Sequence, residues 1–489
     1  MLISIENICV DLKGKRVLDQ VSCTIRPGEH WWISGTLGAG KTTLLETLGG
    51  KHFIREGCLK ISQKGEELPM DTFRKKIQLV SFGEDNRLIQ LNQHYYQQRF
   101  NASDAGRSHK VHTYLEANGF ELEKEEHQVL LANSGVSPLL ELELIKLSSG
   151  QRRKLQLVRA VLKDPAVLIL DNPYLGLDEA SRREFNHWLE KLCQEHEIQL
   201  ILTGQRKDLP MDLITHELAL DKGKADYHGV LREDANPLKI KPEEYKKDLL
   251  GVLKTKWSHP QRPHKYRQVV ALNGVNIRYG QKTALKNIHW QVRQGEKVAL
   301  IGHNGSGKST LLSLLYADHP QAYANDIVLF DRKRGSGESI WEIKEKVGFI
   351  SSELHLYFNP RYTCWKTIAT GFFETMTLRR KLTEEEEHLI DLFLEYFDLS
   401  AIKNRVFSQL SFGEQRLVLL IRALIKHPVL ILLDEAYQGL DEEGIAKANY
   451  LLDTLMADST STLIFITHYP EEIPSFVQRH TYIQEGEIQ

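Results

Sequence analysis

With 489 residues of ordinary composition, 41% hydrophobic and 26% charged, the chain has material for two to four domains and ample core. A net charge of -2 argues against a general nucleic-acid binder and leaves room only for local basic patches. The five cysteines, Cys9, Cys23, Cys58, Cys193 and Cys364, are odd in number and lack CxxC spacing, which points away from a zinc site or a disulfide framework and fits a reducing cytoplasm.

The N-terminal MLISIENICV reads directly as a strand, with no basic region leading into a long apolar core and cleavage site, so export is not expected. The strand-like run HWWIS then leads into GTLGAGKT, from Gly35 to Thr42, followed by the helical pattern TTLLETL. This is a G-x-x-x-x-G-K-[ST] phosphate loop (Walker A), in which glycine N–H groups surround phosphate oxygens, a lysine reaches the terminal phosphates and a hydroxyl ligates Mg²⁺. Farther on come LSSGQRRKLQLVRAVL from Leu147, an apolar run ending at Asp171, the tripeptide GLD, and a last strand in ITHELALDKG. A Lys- and Pro-rich segment, residues 224–267, reads as a linker between domains at 1–223 and 268–489; if flexible it reaches about 35–40 Å.

The second half repeats the first. KVALI precedes GHNGSGKS, from Gly302 to Ser309, and STLLSLL follows it; then come LSFGEQRLVLLIRALI from Leu410, an apolar run ending at Asp434, a second GLD, and LIFITH. The loop lysines, Lys41 and Lys308, stand 267 residues apart, while Leu147 and Leu410, like Asp171 and Asp434, stand 263 apart. This is a duplicated domain, and two phosphate loops imply two nucleotide-binding units. No apolar run approaches the roughly 20 residues that span a bilayer, so membrane association has to come through a partner.

In this order of motifs the chain resembles the ATP-binding cassette (ABC) ATPases over almost its whole length. A closer resemblance, carried by FISSELHLYF, LSFGEQRLVLLIRALIKHPVLILLDEAYQGLD and the aromatic inside the second signature, is to tandem ABC proteins of the molybdate-transport and photorepair type. It implies an α/β fold of two P-loop NTPase domains, each a parallel-sheet core with a helical insert, and ATP with Mg²⁺ as ligands. In the second half it implies Gly302, Asn304, Gly305, Ser306, Gly307, Lys308, Ser309 and Thr310 as the phosphate cradle, with Ser309 and, behind it, Asp434 serving Mg²⁺. Glu435 would be the general base, His468 the switch residue at the γ-phosphate and Tyr279 the adenine-stacking aromatic. In the first half the binding positions persist as Gly35, Gly38, Gly40, Lys41, Thr42 and Thr43, with Thr42 and Asp171 serving Mg²⁺.

The hydrolytic positions do not persist. Asn172 stands opposite Glu435, Gly204 opposite His468 and Leu12 opposite Tyr279. An amide cannot accept a proton as a carboxylate does, so half one is expected to hold nucleotide and half two to hydrolyse it. In the family each nucleotide lies between the loop of one half and the signature of the other. Ser148 and Gly150 would thus complete the second loop, and Ser411 and Gly413 the first, where Phe412 replaces the usual glycine. Asp178 and Asp441 resemble the communicating D-loop aspartates, with helix capping as the other reading, and Gln151 and Glu414 read as helix-start stabilisers. Phe82 and Ser352 occupy places where the family carries a coupling glutamine.

Since every recognised catalytic residue is used on ATP, the expected output is work on a separate protein partner. Membrane-embedded transporter subunits for an oxyanion such as molybdate are the leading reading, with the chain cytoplasmic or peripheral at the inner face of the plasma membrane. The alternatives are a ribosome-associated translation factor and a DNA repair or regulatory ATPase; a short linker broken by Pro237, Pro242, Pro260 and Pro263, Asn172 in place of an acid, and the near-neutral charge weigh against them. The partner surface is expected beside Phe82 and Ser352, where Tyr95, Tyr96, Tyr357, Phe358 and Trp365 read as partly exposed, with core packing as the equal alternative for most of them.

Overall fold

Runs such as Val167–Asp171 are apolar at nearly every position because the strands they form are covered on both faces. Successive side chains point to opposite sides, so Val167 and Ile169 join one hydrophobic cluster while Leu168 and Leu170 join another. The structure is a computed structural model that describes residues 1–489 apart from 13, 83–109, 145, 146, 148, 211, 233–244, 259–264, 281, 352, 353, 355–357, 359, 360, 374 and 376. The chain divides into two units, Met1–Asn236 and Pro237–Gln489.

In the first unit, strands β1 (Leu2–Leu12), β2 (Lys15–Ile25), β4 (Glu56–Gln63) and β5 (Glu66–Glu67) form an antiparallel sheet ordered β2-β1-β4-β5. A six-stranded sheet is built from β3 (Trp31–Gly35), β6 (Ile77–Ser81), β7 (Val167–Asp171), β8 (Gln199–Thr203), β9 (His216–Asp221) and β10 (Lys224–Val230), ordered β10-β9-β3-β8-β7-β6 and parallel except for β10. The helix Lys41–Leu48 and the antiparallel sheet cover one face through Leu44, Leu45, Ile3 and Ile5. The other face is covered by the signature helix Ser149–Val161 and by the insert helices Val111–Ala117 and Glu125–Ser134, through Leu157, Val158, Val111 and Leu131.

The second unit repeats this plan. Strands β11 (Val270–Tyr279), β12 (Lys282–Val292), β14 (Asp326–Leu329) and β15 (Arg332–Lys333) form the antiparallel sheet. Strands β13 (Lys297–Ile301), β16 (Val347–Ile350), β17 (Leu430–Asp434), β18 (Thr462–Thr467), β19 (Arg479–Gln484) and β20 (Glu487–Ile488) form the other, ordered β16-β17-β18-β13-β19-β20 and parallel except for β20. Two parallel-sheet cores with helical inserts are therefore present, each joined by an antiparallel sheet.

The segment read as a linker is structured at both ends. Its start is β10, which returns from β9 through a turn with Lys222 at φ 45° and Gly223 at φ 85°, the paired positive φ of a type I′ hairpin. Both faces of β10 carry exposed or half-exposed side chains, so KADYHGV has no apolar alternation to betray a strand. Residues 237–267 belong to the second unit. There Lys247–Trp257 is a helix that buries Leu250, Leu253 and Trp257 along one stripe and turns lysines outward. The Trp257 indole donates to the Leu424 carbonyl at 2.8 Å and lies 4.1 Å from the His427 ring. Just before the helix, the Tyr245 hydroxyl and the Lys246 ammonium reach Asp398 at 2.5 and 2.6 Å, and Lys447 reaches it at 2.9 Å. Burial opposes ionisation of Asp398, yet these donors outweigh it and pull its carboxyl down to about 2.

If this segment is an integral layer of the second unit, Trp257→Ala lowers that unit's unfolding free energy by about 3–5 kcal/mol, the usual loss for a buried large aromatic. Denaturant melts of the full chain measure it. A change under about 1 kcal/mol, within the range of surface substitutions, would leave the segment a mere tether.

Candidate functional site

Both phosphate loops run from the end of a central parallel strand into a helix. The turn into each helix is made by a left-handed glycine, Gly40 at φ 97° and Gly307 at φ 111°. A Cβ there would stand 2.8 Å from Leu18 Cδ2 or 2.9 Å from the Ala284 carbonyl oxygen, so both conformation and space call for glycine. The lysine that follows folds back over its own loop. Lys41 Nζ donates to the carbonyls of Gly35 and Thr36 at 2.6 and 2.9 Å, and Lys308 Nζ to those of Gly302 and His303 at 2.5 and 2.8 Å. Gly35, Gly38 and Thr43 complete the first loop region; Asn304, Gly305 and Ser309 are exposed on the second. The Ser306 side chain is buried beneath the loop, and its N–H donates to the His303 carbonyl at 3.2 Å. Thr310 is buried too and lies by Tyr279.

In the second unit the neighbouring strand ends bring Glu435 and His468 together. Asp434 closes β17 and is buried, and Glu435 follows at φ 48°, in the left-handed region. Its Oε1 accepts from His468 Nδ1 at 3.1 Å, and Oε2 accepts from the Gln438 amide at 3.3 Å. Burial by itself raises the Glu435 carboxyl, but the His468 bond and the positive charges of His468, Lys308 and Arg416 prevail and hold it below its ordinary value. The group is therefore an ionised acceptor at neutral pH. Tyr279 ends β11 with its hydroxyl 2.7 Å from His319 Nε2. His319 Nδ1 accepts from the Gln321 N–H, and burial keeps the imidazole neutral, so its proton sits on Nε2 and is donated to the Tyr279 oxygen.

The first unit places the same strand ends but joins them differently. The Thr42 hydroxyl donates to Asp171 Oδ2 at 2.9 Å, and the Thr203 hydroxyl and the Asn172 amide donate to Oδ1 at 2.7 and 2.9 Å. Deep burial pushes the Asp171 carboxyl above its ordinary value in spite of the Thr203 and Thr42 bonds. Strand register confirms the pairing read from the sequence at the hairpin, since Leu12 opposes Lys15 as Tyr279 opposes Lys282. Gly204 gives its carbonyl to the Trp32 indole at 3.1 Å.

The signatures open helices. Ser411 caps Phe412–Leu424 by accepting from the Glu414 N–H, while Glu414 accepts from the Ser411 N–H at 2.7 Å, the reciprocal box that a helix-start role for Glu414 requires. Gly150 and buried Gly413 lie in the first turns of the two signature helices; Ser148 lies outside the described residues. Asp178 and Asp441 both cap helices, accepting from Ser181 and Gly444 N–H at 2.9 and 2.7 Å, so capping is the role their geometry displays. The expected partner surface is corrected in part. Phe82 is buried beneath the Arg153 guanidinium, and Phe358 is buried against Phe407 and beneath Arg422. Trp365 is half-buried, and Tyr95, Tyr96, Ser352 and Tyr357 lie outside the described residues.

One pair of residues escaped the sequence reading: the arginine five positions after each signature serine, Arg153 and Arg416. Arg416 is fully buried and donates to the Ser351 carbonyl at 2.6 Å and the Gln438 side chain at 2.8 Å, with Phe412 beneath its guanidinium. Arg153 likewise reaches the Pro173 carbonyl. Each ties its signature helix to the residues just after the acidic strand. The recurrence of arginine at the same place in both copies was the available signal.

The ABC transporter family pattern matches residues 18–175 and 285–438. Over 97% of this chain and 95% of its own length, the ABC transporter ATP-binding protein ModF of Escherichia coli is 31% identical. An uncharacterized ABC transporter ATP-binding protein of Schizosaccharomyces pombe is 31% identical over 96% of this chain and 95% of that protein, and one of Saccharomyces cerevisiae 29% over 95% and 92%.

Burial pushes the Arg416 guanidinium down to about 10 against the opposing pull of the Glu435 and Asp434 charges, while its two hydrogen bonds satisfy part of the buried group. Arg416→Lys, which cannot span both acceptors, is expected to destabilise the second unit by about 3 kcal/mol. Chemical denaturation followed by tryptophan fluorescence tests this, and wild-type stability would show that the link is dispensable.

Proposed function

The chain belongs to the ABC transporter ATPase family and carries two of its ATP-binding domains; on that premise we propose that the second domain hydrolyses ATP while the first retains it. The observation that carries this reading is the Glu435–His468 pair, an ionised acceptor oriented by a histidine, standing where the first domain has Asn172 and Gly204. Glu435 takes a proton from the attacking water as its oxygen bonds to the γ-phosphorus and the bond to the β,γ-bridging oxygen breaks. His468 orients Glu435 and meets the γ-phosphate. Lys308 and the exposed loop residues Asn304 and Gly305 bind phosphate oxygens, and Tyr279, with its hydroxyl fixed by His319, offers its ring to adenine.

The residues present fit Mg²⁺. Among the described residues no three His, Cys, Asp or Glu side chains gather as a metal cage. What is present instead is a loop hydroxyl with a carboxylate one hydrogen bond behind it, seen directly as Thr42 on Asp171, which suits a cation that keeps waters and phosphate oxygens as ligands. Ser309 and Asp434 supply the same pair of groups in the second domain. When bound, the ion neutralises charge on the β,γ-phosphates.

We place the output on a separate protein partner in or at the cytoplasm. Among the described residues no helix is long and apolar enough to cross a membrane. Membrane-embedded transporter subunits for an oxyanion such as molybdate remain the leading partner, a choice supported by resemblance alone.

Glu435→Gln is expected to lower steady-state turnover at least about a hundredfold, the low end for loss of a general base, while ATP binding is retained. A rate within tenfold of wild type would remove the assignment. The same variant, loaded with ATP and used in an affinity pull-down, identifies the partner; recovery of ribosomes alone would replace the transporter by a translation role.

A further inference from the structure

The two domains of this chain are copies, so each strand end of one is a control for the other. After the acidic strand both copies turn through a left-handed residue, Asn172 at φ 52° and Glu435 at φ 48°. Their surroundings then diverge. The Glu435 N–H donates to the Ile466 carbonyl at 2.9 Å, whereas the Asn172 N–H donates to the Thr203 hydroxyl at 2.9 Å, and that hydroxyl passes its own hydrogen to Asp171. The residue level with Thr203 in the second domain is Ile466, which carries no hydroxyl, and the hydroxyl of the next residue, Thr467, donates to Glu472 at 3.2 Å. Finally, the Asn172 side chain turns its NH₂ onto Asp171 Oδ1, the one orientation of an amide that a carboxylate accepts. Three donors therefore close on Asp171, and one of them is the Thr42 hydroxyl.

We propose that Asn172 and Thr203 form a carboxylate clamp that fixes Asp171, and through it the Thr42 hydroxyl, for retention of Mg²⁺-bound ATP by the first domain. Asn172 is then a positioning residue in its own right and more than a lost base. Glutamate at this place would present an acceptor to an acceptor and open the clamp. This deepens the holder reading of the first domain and rests on it.

The clamp acts on the metal-bearing side of the nucleotide, so its loss must show in a Mg²⁺-dependent readout. Equilibrium binding of a fluorescent ATP analogue to the full chain, with Lys308→Ala silencing the second loop, is measured in Mg²⁺ and again in EDTA. Asn172→Ala, Asn172→Asp and Thr203→Val are each expected to raise Kd in Mg²⁺ at least about fivefold, as loss of one hydrogen bond to a charged group implies, with Kd in EDTA unchanged. Thr203→Ser, which keeps the hydroxyl, restores binding in Mg²⁺. If the Asn172 variants bind with wild-type Kd in Mg²⁺, or if Kd rises equally in EDTA, the clamp is overturned while the holder reading stands. A parent that binds no nucleotide at its first loop overturns both.

Discussion

Parallel strand register is the constraint on which the site depends. In the second domain Ile301 lies opposite Thr467, and Asp434 opposite Ile466, so the phosphate loop, the acidic pair and the switch histidine all leave the sheet at one edge within one residue of each other. The first domain has the same alignment, with Ile33 opposite Thr203 and Leu170 opposite Leu202. A slip of one residue would turn each strand's apolar side chains to the other face of a sheet buried on both sides. Packing of the two hydrophobic layers therefore sets the spacing of the chemical groups. The chemistry can change at the strand ends while the frame is kept.

That is the history the two domains record. A Cβ added at Gly204 would meet Tyr174 Cδ2 at 3.2 Å, tighter than ordinary packing, and Tyr174 is buried against Phe185. The residue that would have to move is thus held by the core. The missing histidine is consequently part of a repacked first domain and not an isolated substitution, and the Trp32 indole, which takes the Gly204 carbonyl, belongs to the same repacking. Lys41 beside it keeps its place over the loop through the Gly35 and Thr36 carbonyls.

The parallel cores and the loops were legible because they are written in contiguous motifs that recur at fixed offsets. Elements with mixed or local encoding were not. Strand β10 is a polar edge and gives no apolar period. The helix Lys247–Trp257 carries only three buried residues among lysines, and its neighbours Leu424, His427 and Asp398 lie far along the chain. Phe358, offered as a surface aromatic, and Phe82, the landmark beside which that surface was expected, are buried because arginines from the signature helices close over them, a long-range contact that the sequence does not display. The D-loop aspartates were readable either way, since one residue type serves both a helix cap and a communicating charge.

The two acidic strand ends differ at the neighbouring strand too, where Thr203 brings a hydroxyl to the level that Ile466 occupies in the second domain. Glu472 accepts the Thr467 hydroxyl, but its counterpart in the first domain, Asp208, is already paired with the buried guanidinium of Arg182. The residue equivalent to Arg182 in the second domain is Ile445, which carries no charge to claim Glu472. In the first domain the Thr203 hydroxyl has Asp171 as its acceptor, and Asn172 adds a second donor where a carboxylate would be repelled. The amide beside Asp171 donates where Glu435 of the second domain accepts, so the two strand ends present opposite hydrogen-bond polarity.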